Sequence, residues 1–355
     1  MSSPAEIRQL DSYPAAFLGG WYAFAHEEEL RPGQVLGFDI DGEQLVAFRS
    51  ASDPDDIGVL NRHCPHLGAD LSQGTVKKNC LECPFHNWQF STDGHVTKIP
   101  YTKSPLRAAL KARRWYTTNF HGVFCVYIDQ DRARRGEPPP YELRRFPAST
   151  PATSCFAAAA TPGCSPPHRR ARREQRRRRP LSIPPRSHDR ALHQHQDPRH
   201  HHPPRRLVVP RPGAAASAGF RDIAVLEFLG RRLKFTTATA EVRFFGPGSV
   251  SAVRLHLPGP GDMVLFQTHT PTESGDPMMH RVRFRWFADK KIPRPLVSYV
   301  VGSWMSQLQA DIGIWGRKHY QGKPMLMPEE RQLLEMRRWY RQFYPAHPHA
   351  HAATP

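Results

Sequence analysis

Two short strings, Cys64-Pro65-His66 and Cys83-Pro84-Phe85-His86, constrain this chain more than anything else written in it. Each puts a thiol and an imidazole into one loop, and sixteen residues separate the two. Four metal-binding groups delivered from two facing loops ask for a metal centre. A zinc site could use two cysteines and two histidines, yet zinc fingers pair cysteine with cysteine and histidine with histidine. Interleaving them lets each loop give one Cys to one iron and one His to the other, the arrangement of a Rieske [2Fe–2S] cluster. Neutral imidazoles in place of thiolates reduce the negative charge at one iron and raise the reduction potential, which suits an electron relay. A structural zinc and two unrelated Cys/His pairs are the alternatives, and the EPR signature of a reduced cluster excludes a zinc module. Pro65 and Pro84 stiffen the loops, while Gly68 and Trp88 sit where such loops need a turn and a cover. Cys80 forms C-x-x-C with Cys83 but reads as a small buried residue, and Cys125, in the apolar run Val123 to Ile128, reads as core.

Around these strings the chain reads as a small β domain over residues 18–130. Val35 to Ile40 and Gln44 to Arg49 are short apolar-rich runs joined across Asp41-Gly42, a dipeptide suited to a tight hairpin turn. Asp93-Gly94 separates Trp88-Gln89-Phe90 from His95-Val96 in the same way, and the prolines within Glu137 to Tyr141 mark a boundary. Further on, Glu241 to Phe245, Val250 to Leu257 and Arg281 to Phe287 alternate as strands, while Met305 to Lys318 and Glu329 to Phe343 read as helices. The last starts with Pro328, Glu329 and Glu330 at its positive end, and its Leu333, Met336, Tyr340 and Phe343 form one stripe. The chain has no run of 18 apolar residues and no signal-peptide pattern at its N-terminus, and six cysteines are too few for a disulfide scaffold. A cytoplasmic setting is expected, peripheral at the endoplasmic reticulum membrane at most.

The stretch Asn61 to Ser72, continued through Glu82 to Phe90 and Ile99-Pro-Tyr101, resembles the Rieske oxygenases that act on sterols. It is similar first to the cholesterol 7-desaturases and next to the 3-ketosteroid 9α-hydroxylases. Phe245 to Val250, Phe266-Gln-Thr-His-Thr-Pro271, Asp311-Ile-Gly-Ile-Trp315 and Arg338 to Tyr344 resemble the same family's catalytic domain. One departure is Asn87, where the family usually has Gly; Asn tolerates a left-handed backbone, so the loop is expected to survive it. The resemblance implies an α+β chain, an antiparallel Rieske domain followed by a helix-grip domain, a sheet curled over a long helix. It implies that Cys64, His66, Cys83 and His86 hold the [2Fe–2S] cluster. Electrons from NAD(P)H then pass through a separate reductase to the cluster, and on to a mononuclear Fe(II) where O₂ is reduced beside the sterol. By position Asp311 is that iron's carboxylate ligand, and 221–346 is the C-terminal part of the catalytic domain. Homotrimers are implied in the same way.

Between the two halves the chain departs from the family. The net charge is +18, which alone would suggest a nucleic acid or an anionic membrane. Yet Thr150 to Gly219 hold 14 Arg, no Lys and three acids, so the other 285 residues carry only +7. Arg176 to Arg179 lack interleaved aromatics for stacking on bases, and no nucleic-acid partner is expected. The family's two iron histidines belong to E-N-x-A-D-x-x-H-x-x-x-x-H, and 147–220 contains no such string. His188, His193, His195 and His200 to His202 have no carboxylate at the required offset, and nearby prolines oppose a helix. Reading Pro167 to Arg186 one nucleotide later allows H-I-x-E-x-x-E-N-S-A-D-V-A-H-F-x-x-L-H, with both histidines in place. The other shift allows only Ser, Pro, Thr or Ala at those positions. The segment is therefore expected to be out of frame and disordered, its rival being a natural Arg/Pro-rich insert. Made as written, the chain would keep a cluster and turn over no sterol. A Rieske ferredoxin, a pure carrier, would need only the first domain.

Overall fold

The computed structural model describes residues 18–40, 42–129, 132, 135–143, 155–161, 217–224, 227–228, 231–232, 238–246, 250–273, 279–315, 323–327, 332–340 and 343. The first part contains β1 (Gly20–His26), β2 (Val35–Ile40), β3 (Glu43–Arg49), β4 (Ile57–Asn61), β5 (Thr75–Lys77), β6 (Cys80–Glu82), β7 (Gln89–Phe90), β8 (Val96–Lys98), β9 (Arg114–Trp115), β10 (Thr117–Phe120) and β11 (Val123–Ile128). They form three antiparallel sheets: β1-β11-β10, β2-β3-β4-β9, and β5-β6-β7-β8. The second part contains β12 (Cys155–Thr161), β13 (Ser217–Ala224), β14 (Glu227–Phe228), β15 (Arg231–Arg232), β16 (Ala238–Phe245), β17 (Val250–Leu257), β18 (Gly261–Glu273), β19 (Met279–Ala288), α1 (Arg294–Trp315) and α2 (Gln332–Tyr340). Its main sheet has the order β12-β19-β18-β17-β16-β13, and β14 pairs with β15. The class is α+β.

Alternation along the strands decides the layering. In β1 every residue is buried, because its two faces enter two different cores. Tyr22 and Phe24, with Phe124, Val126 and Ile128 of β11, pack on Phe38, Leu45 and Trp115 inside the small domain. Trp21 and Ala23, with Val123, Cys125 and Tyr127, pack on Phe245, Val250, Val264 and Phe266 of the large sheet. Met263 and Leu265, on the opposite face of β18, meet Val301 and Leu308 of α1. The large sheet thus lies between the small domain and a helix, and apolar side chains pack on both of its faces.

The hairpins expected at Asp-Gly are present, with Gly42 and Gly94 at φ 75° and 88°; Asp41 itself lies outside the described residues. β17 has the expected bounds, and β16 and β19 extend beyond theirs. Two expectations need correction. The first helix begins at Arg294, eleven residues before Met305. Its stripe of Val297, Val300, Val301, Trp304 and Leu308 is rich in β-branched side chains that read as strand, and only packing on the sheet makes it helical. In α2 the side chain at the centre of the packing is Trp339, 2% exposed, one residue off the expected stripe. Tyr340 and Phe343 are half-buried, and the side chains of Leu333 and Met336 lie outside the described residues. Within 147–220, Cys155–Thr161 and the start of β13 are strands, and 162–216 lies outside the described residues.

Candidate metal centre

The small sheet β5-β6-β7-β8 holds one of the two loops, and the turn after β4 holds the other. The two are built alike. Cys64 N–H donates to the Ala69 carbonyl at 2.9 Å, and Gly68 N–H returns to the Cys64 carbonyl at 2.9 Å. Cys83 N–H donates to the Trp88 carbonyl at 2.8 Å, and Asn87 N–H returns to the Cys83 carbonyl at 3.1 Å. The fifth residue of each loop turns left-handed, Gly68 at φ 75° and Asn87 at φ 56°. Asn87 therefore does what a glycine would do there, as its tolerance of this region allows. The second histidine comes one residue later in its loop than the first, which follows from x₁ against x₂ in the two strings.

The loops face each other. His66 and His86 stand with ring centroids 4.8 Å apart at 68°. The Cys64 and Cys83 thiols are buried, in hydrogen-bonding reach of one another, and form no disulfide. Burial pushes the Cys64 thiol up to about 11, and Cys83 beside it adds to the rise, while the amides of His66 and Leu67 oppose it. His66 Nδ1 is buried without a hydrogen-bond partner. A buried imidazole nitrogen without a protein hydrogen-bond partner, close to two buried thiols, has the character of a ligand atom. Among the described residues no three His, Cys, Asp or Glu side chains converge as ligands of one ion. A two-iron cluster takes two protein ligands per iron, and the two thiols and two imidazoles of these loops supply that number. The residues present fit a [2Fe–2S] cluster.

Trp88 lies flat on His66, 4.5 Å away at 9°, and its indole N–H donates to the Tyr101 hydroxyl at 2.8 Å. Trp88 is thus the cover that its place in the sequence predicts. The tether at Tyr101 was not foreseen, since no local pattern links positions 88 and 101. Arg62 braces the first loop from behind: its Nε–H donates to both Asp70 oxygens at 3.1 Å, and Asp70 accepts the Ser72 N–H at 2.8 Å. Arg62 and Ser72 hold the Asp70 carboxyl below its usual range, outweighing its desolvation together. Leu67, Phe85 and Tyr101 are exposed on these loops, an apolar tip around the imidazoles. Cys80 is only half-buried, with Sγ 3.3 Å from Thr97 Oγ1, because alternation along β6 turns the neighbouring Leu81, not Cys80, into the core. Cys125 is core, as expected.

The second centre is not assembled among the described residues. Asp311 lies in α1, two turns beyond Trp304, and its side chain lies outside the described residues. So do His188, His193, His195 and His200 to His202. Trp304 N–H donates to Gln267 Oε1 at 2.9 Å, and Gln267 Nε2 meets His269 Nε2 at 2.6 Å, so the sheet face under α1 is polar at this end. No helix among the described residues is long and apolar enough to cross a membrane.

Comparison with known proteins gives two family matches: a Rieske [2Fe-2S] domain over 20–118 and a 3-ketosteroid 9alpha-hydroxylase C-terminal domain over 230–344. Cholesterol 7-desaturase nvd 1 of Ciona intestinalis is 28% identical over 356 residues, covering 94% of this chain and 70% of that protein. The cholesterol 7-desaturase of Caenorhabditis elegans is 27% identical, covering 95% and 79%. The oxygenase component of 3-ketosteroid-9-alpha-monooxygenase from Rhodococcus rhodochrous is 34% identical over 155 residues, 43% of this chain and 37% of that one. In structure the chain is similar to apo dicamba monooxygenase, with a TM-score of 0.61 at 15% identity, covering 93% and 97%. It is similar also to the caffeine complex of NdmA from Pseudomonas putida CBB5, TM-score 0.61 at 17% identity, covering 90% and 89%. At such identities these two speak for the fold alone.

Proposed function

We propose, from the premise that this chain belongs to the Rieske-type sterol oxygenases, that its reaction is the 7,8-desaturation of cholesterol to 7-dehydrocholesterol. O₂ and electrons from NAD(P)H, delivered by a separate reductase, are its co-substrates. The observation that carries this reading is the pair of facing Cys/His loops in a chain similar over nearly its whole length to cholesterol 7-desaturases. When bound, the cluster supplies a one-electron relay at moderate potential. Cys64 and Cys83 would hold one iron as thiolates, and His66 and His86 would hold the other as neutral imidazoles. The thiols must lose their protons to do so, which ties cluster loading to pH. Trp88 keeps the His66 ring in its plane and shields it from water. Leu67, Phe85 and Tyr101 offer the electron donor an apolar contact close to the imidazole edges. Cys83→Ser is expected to abolish the visible absorption and the EPR signal of the reduced cluster while the rest of the chain stays folded.

Two incubations test the substrate. With a reductase, NADPH and cholesterol, a chain carrying the shifted frame is expected to yield 7-dehydrocholesterol. The second reading, a 3-ketosteroid 9α-hydroxylase-type monooxygenase, is favoured by the C-terminal family match and by the 34% identity of the bacterial oxygenase component. It predicts a 9α-hydroxylated 3-ketosteroid and no reaction at C7 of cholesterol.

For the chain as written a third reading applies. Fe(II) in such enzymes is held by two histidines and a carboxylate, and the described residues do not supply that set. Iron analysis separates the cases: about two irons per chain as written and about three for the shifted frame. A homotrimer and a peripheral seat at the endoplasmic reticulum membrane complete the proposal, checked by solution mass and by flotation with vesicles.

A further inference from the structure

Arg283 and Arg285 alternate along β19 on the face turned from α1, and their side chains are only 4% and 7% exposed. Among the described residues the carboxylates that pair with them come from the other domain, from Glu27-Glu28-Glu29 just after β1. Arg285 Nη1 donates to Glu28 Oε2 at 3.0 Å and to the Gly122 carbonyl at 2.9 Å, and Nη2 donates to Glu27 Oε1 at 3.1 Å. Arg283 Nε donates to Glu29 Oε2 at 3.3 Å, an oxygen that also accepts the His26 N–H at 2.7 Å. The Gly122 carbonyl accepts the Glu27 N–H at 3.1 Å as well, so one guanidinium sits where two segments of the small domain meet. Gly122 has φ 79°, and a Cβ there would come 2.5 Å from Arg285 Cζ. Close by, Thr270 Oγ1 donates to the Ala23 carbonyl at 2.5 Å, beside the bulge between Ala23 and Ala25.

We propose that Arg283 and Arg285 are positioning residues that fix the orientation of the cluster-bearing domain on the large sheet. Apolar contacts between the two parts are non-directional and would tolerate sliding. A planar guanidinium held by three acceptors does not tolerate it, because a small shift leaves a buried charge without a partner. The apolar layer supplies adhesion, and the two arginines supply register. Any change of register would be carried rigidly to the loops at 64–68 and 83–88, which sit on the same small domain. This assignment holds whichever sterol is the substrate.

The test is hydrogen exchange followed by mass spectrometry on the full chain with its cluster. In Arg283→Gln/Arg285→Gln, exchange is expected to accelerate about tenfold or more in 20–29, 119–124 and 266–271. Loops 62–90 and helix α1 should keep their protection, and the visible circular dichroism of the cluster should not change. Glu27→Gln/Glu28→Gln/Glu29→Gln removes the same contacts from partly exposed positions, so it carries the test if the arginine variant does not fold. Arg285→Lys, which keeps the charge without the fork, should fall between. Acceleration spread evenly over the chain would make the arginines ordinary core stabilisers and overturn the proposal, as would no acceleration at all.

Discussion

At position 87 the backbone turns left-handed at the end of a ligand loop, and an asparagine occupies a place built for glycine. Asn87→Gly is expected to leave cluster content unchanged. Asn87→Val, which is β-branched and poorly suited to that region, should cost about 1–3 kcal/mol and lower cluster occupancy, read from absorbance and a urea midpoint. His26 is a second site with a measurable consequence. It is fully buried, and burial drives its pKa from 6.5 down to about 4, with Glu29 opposing and Arg283 and Arg285 adding to the fall. Below pH 6.5 the unfolded chain takes up a proton that the folded chain refuses. The stability tied to this group is therefore full above pH 6.5 and lost as pH falls toward 4, up to about 3 kcal/mol. The steeper acid loss of the native chain relative to His26→Gln, from urea midpoints at pH 7, 5.5 and 4.5, measures it; equal slopes would refute it. Residue chemistry of this kind was half legible. The four Cys and His positions could be read because each loop carries its ligands within a few residues. The Tyr101 tether, the Arg62–Asp70 brace and the Glu27–Glu29 contacts could not, since their partners meet only after folding.

Among the elements, the β10–β11 hairpin shows how a turn is fitted to a neighbour rather than to itself. His121 takes φ 53° and stacks on Phe266 at 4.7 Å, and Gly122 leaves room for Arg285. Gly122→Ala should cost about 2–4 kcal/mol, combining an unfavourable φ with a displaced, pinned guanidinium; calorimetry at pH 7 checks this. Strands with period-two patterning were readable, as β2 and β17 show. β18 was not, for Gln267, Thr268, His269, Thr270 and Pro271 interrupt the apolar signal. Its pairing is rescued by neighbours on both sides and by a register shift after Pro271, where a missing N–H does least harm. The start of α1 was hidden for the opposite reason, too many β-branched residues. Its helical period emerges only where it packs against the sheet.

On the scale of the whole molecule, charge and architecture separate. Eleven of the chain's +18 net charges fall within 162–216, outside the described residues, and the rest of the chain carries +7. Among the described residues the large sheet has β12 at one edge and β13 at the other, although these two strands are consecutive in the described chain. Five inter-strand steps of about 4.8 Å put these edges roughly 24 Å apart. The 55 residues of 162–216 could reach several times that distance if extended at about 3.3 Å each. Whatever that passage spells, it is long enough to tie the two edges together. A lesion confined there leaves the sequence of every described strand unchanged, and is expected to show in iron content and turnover.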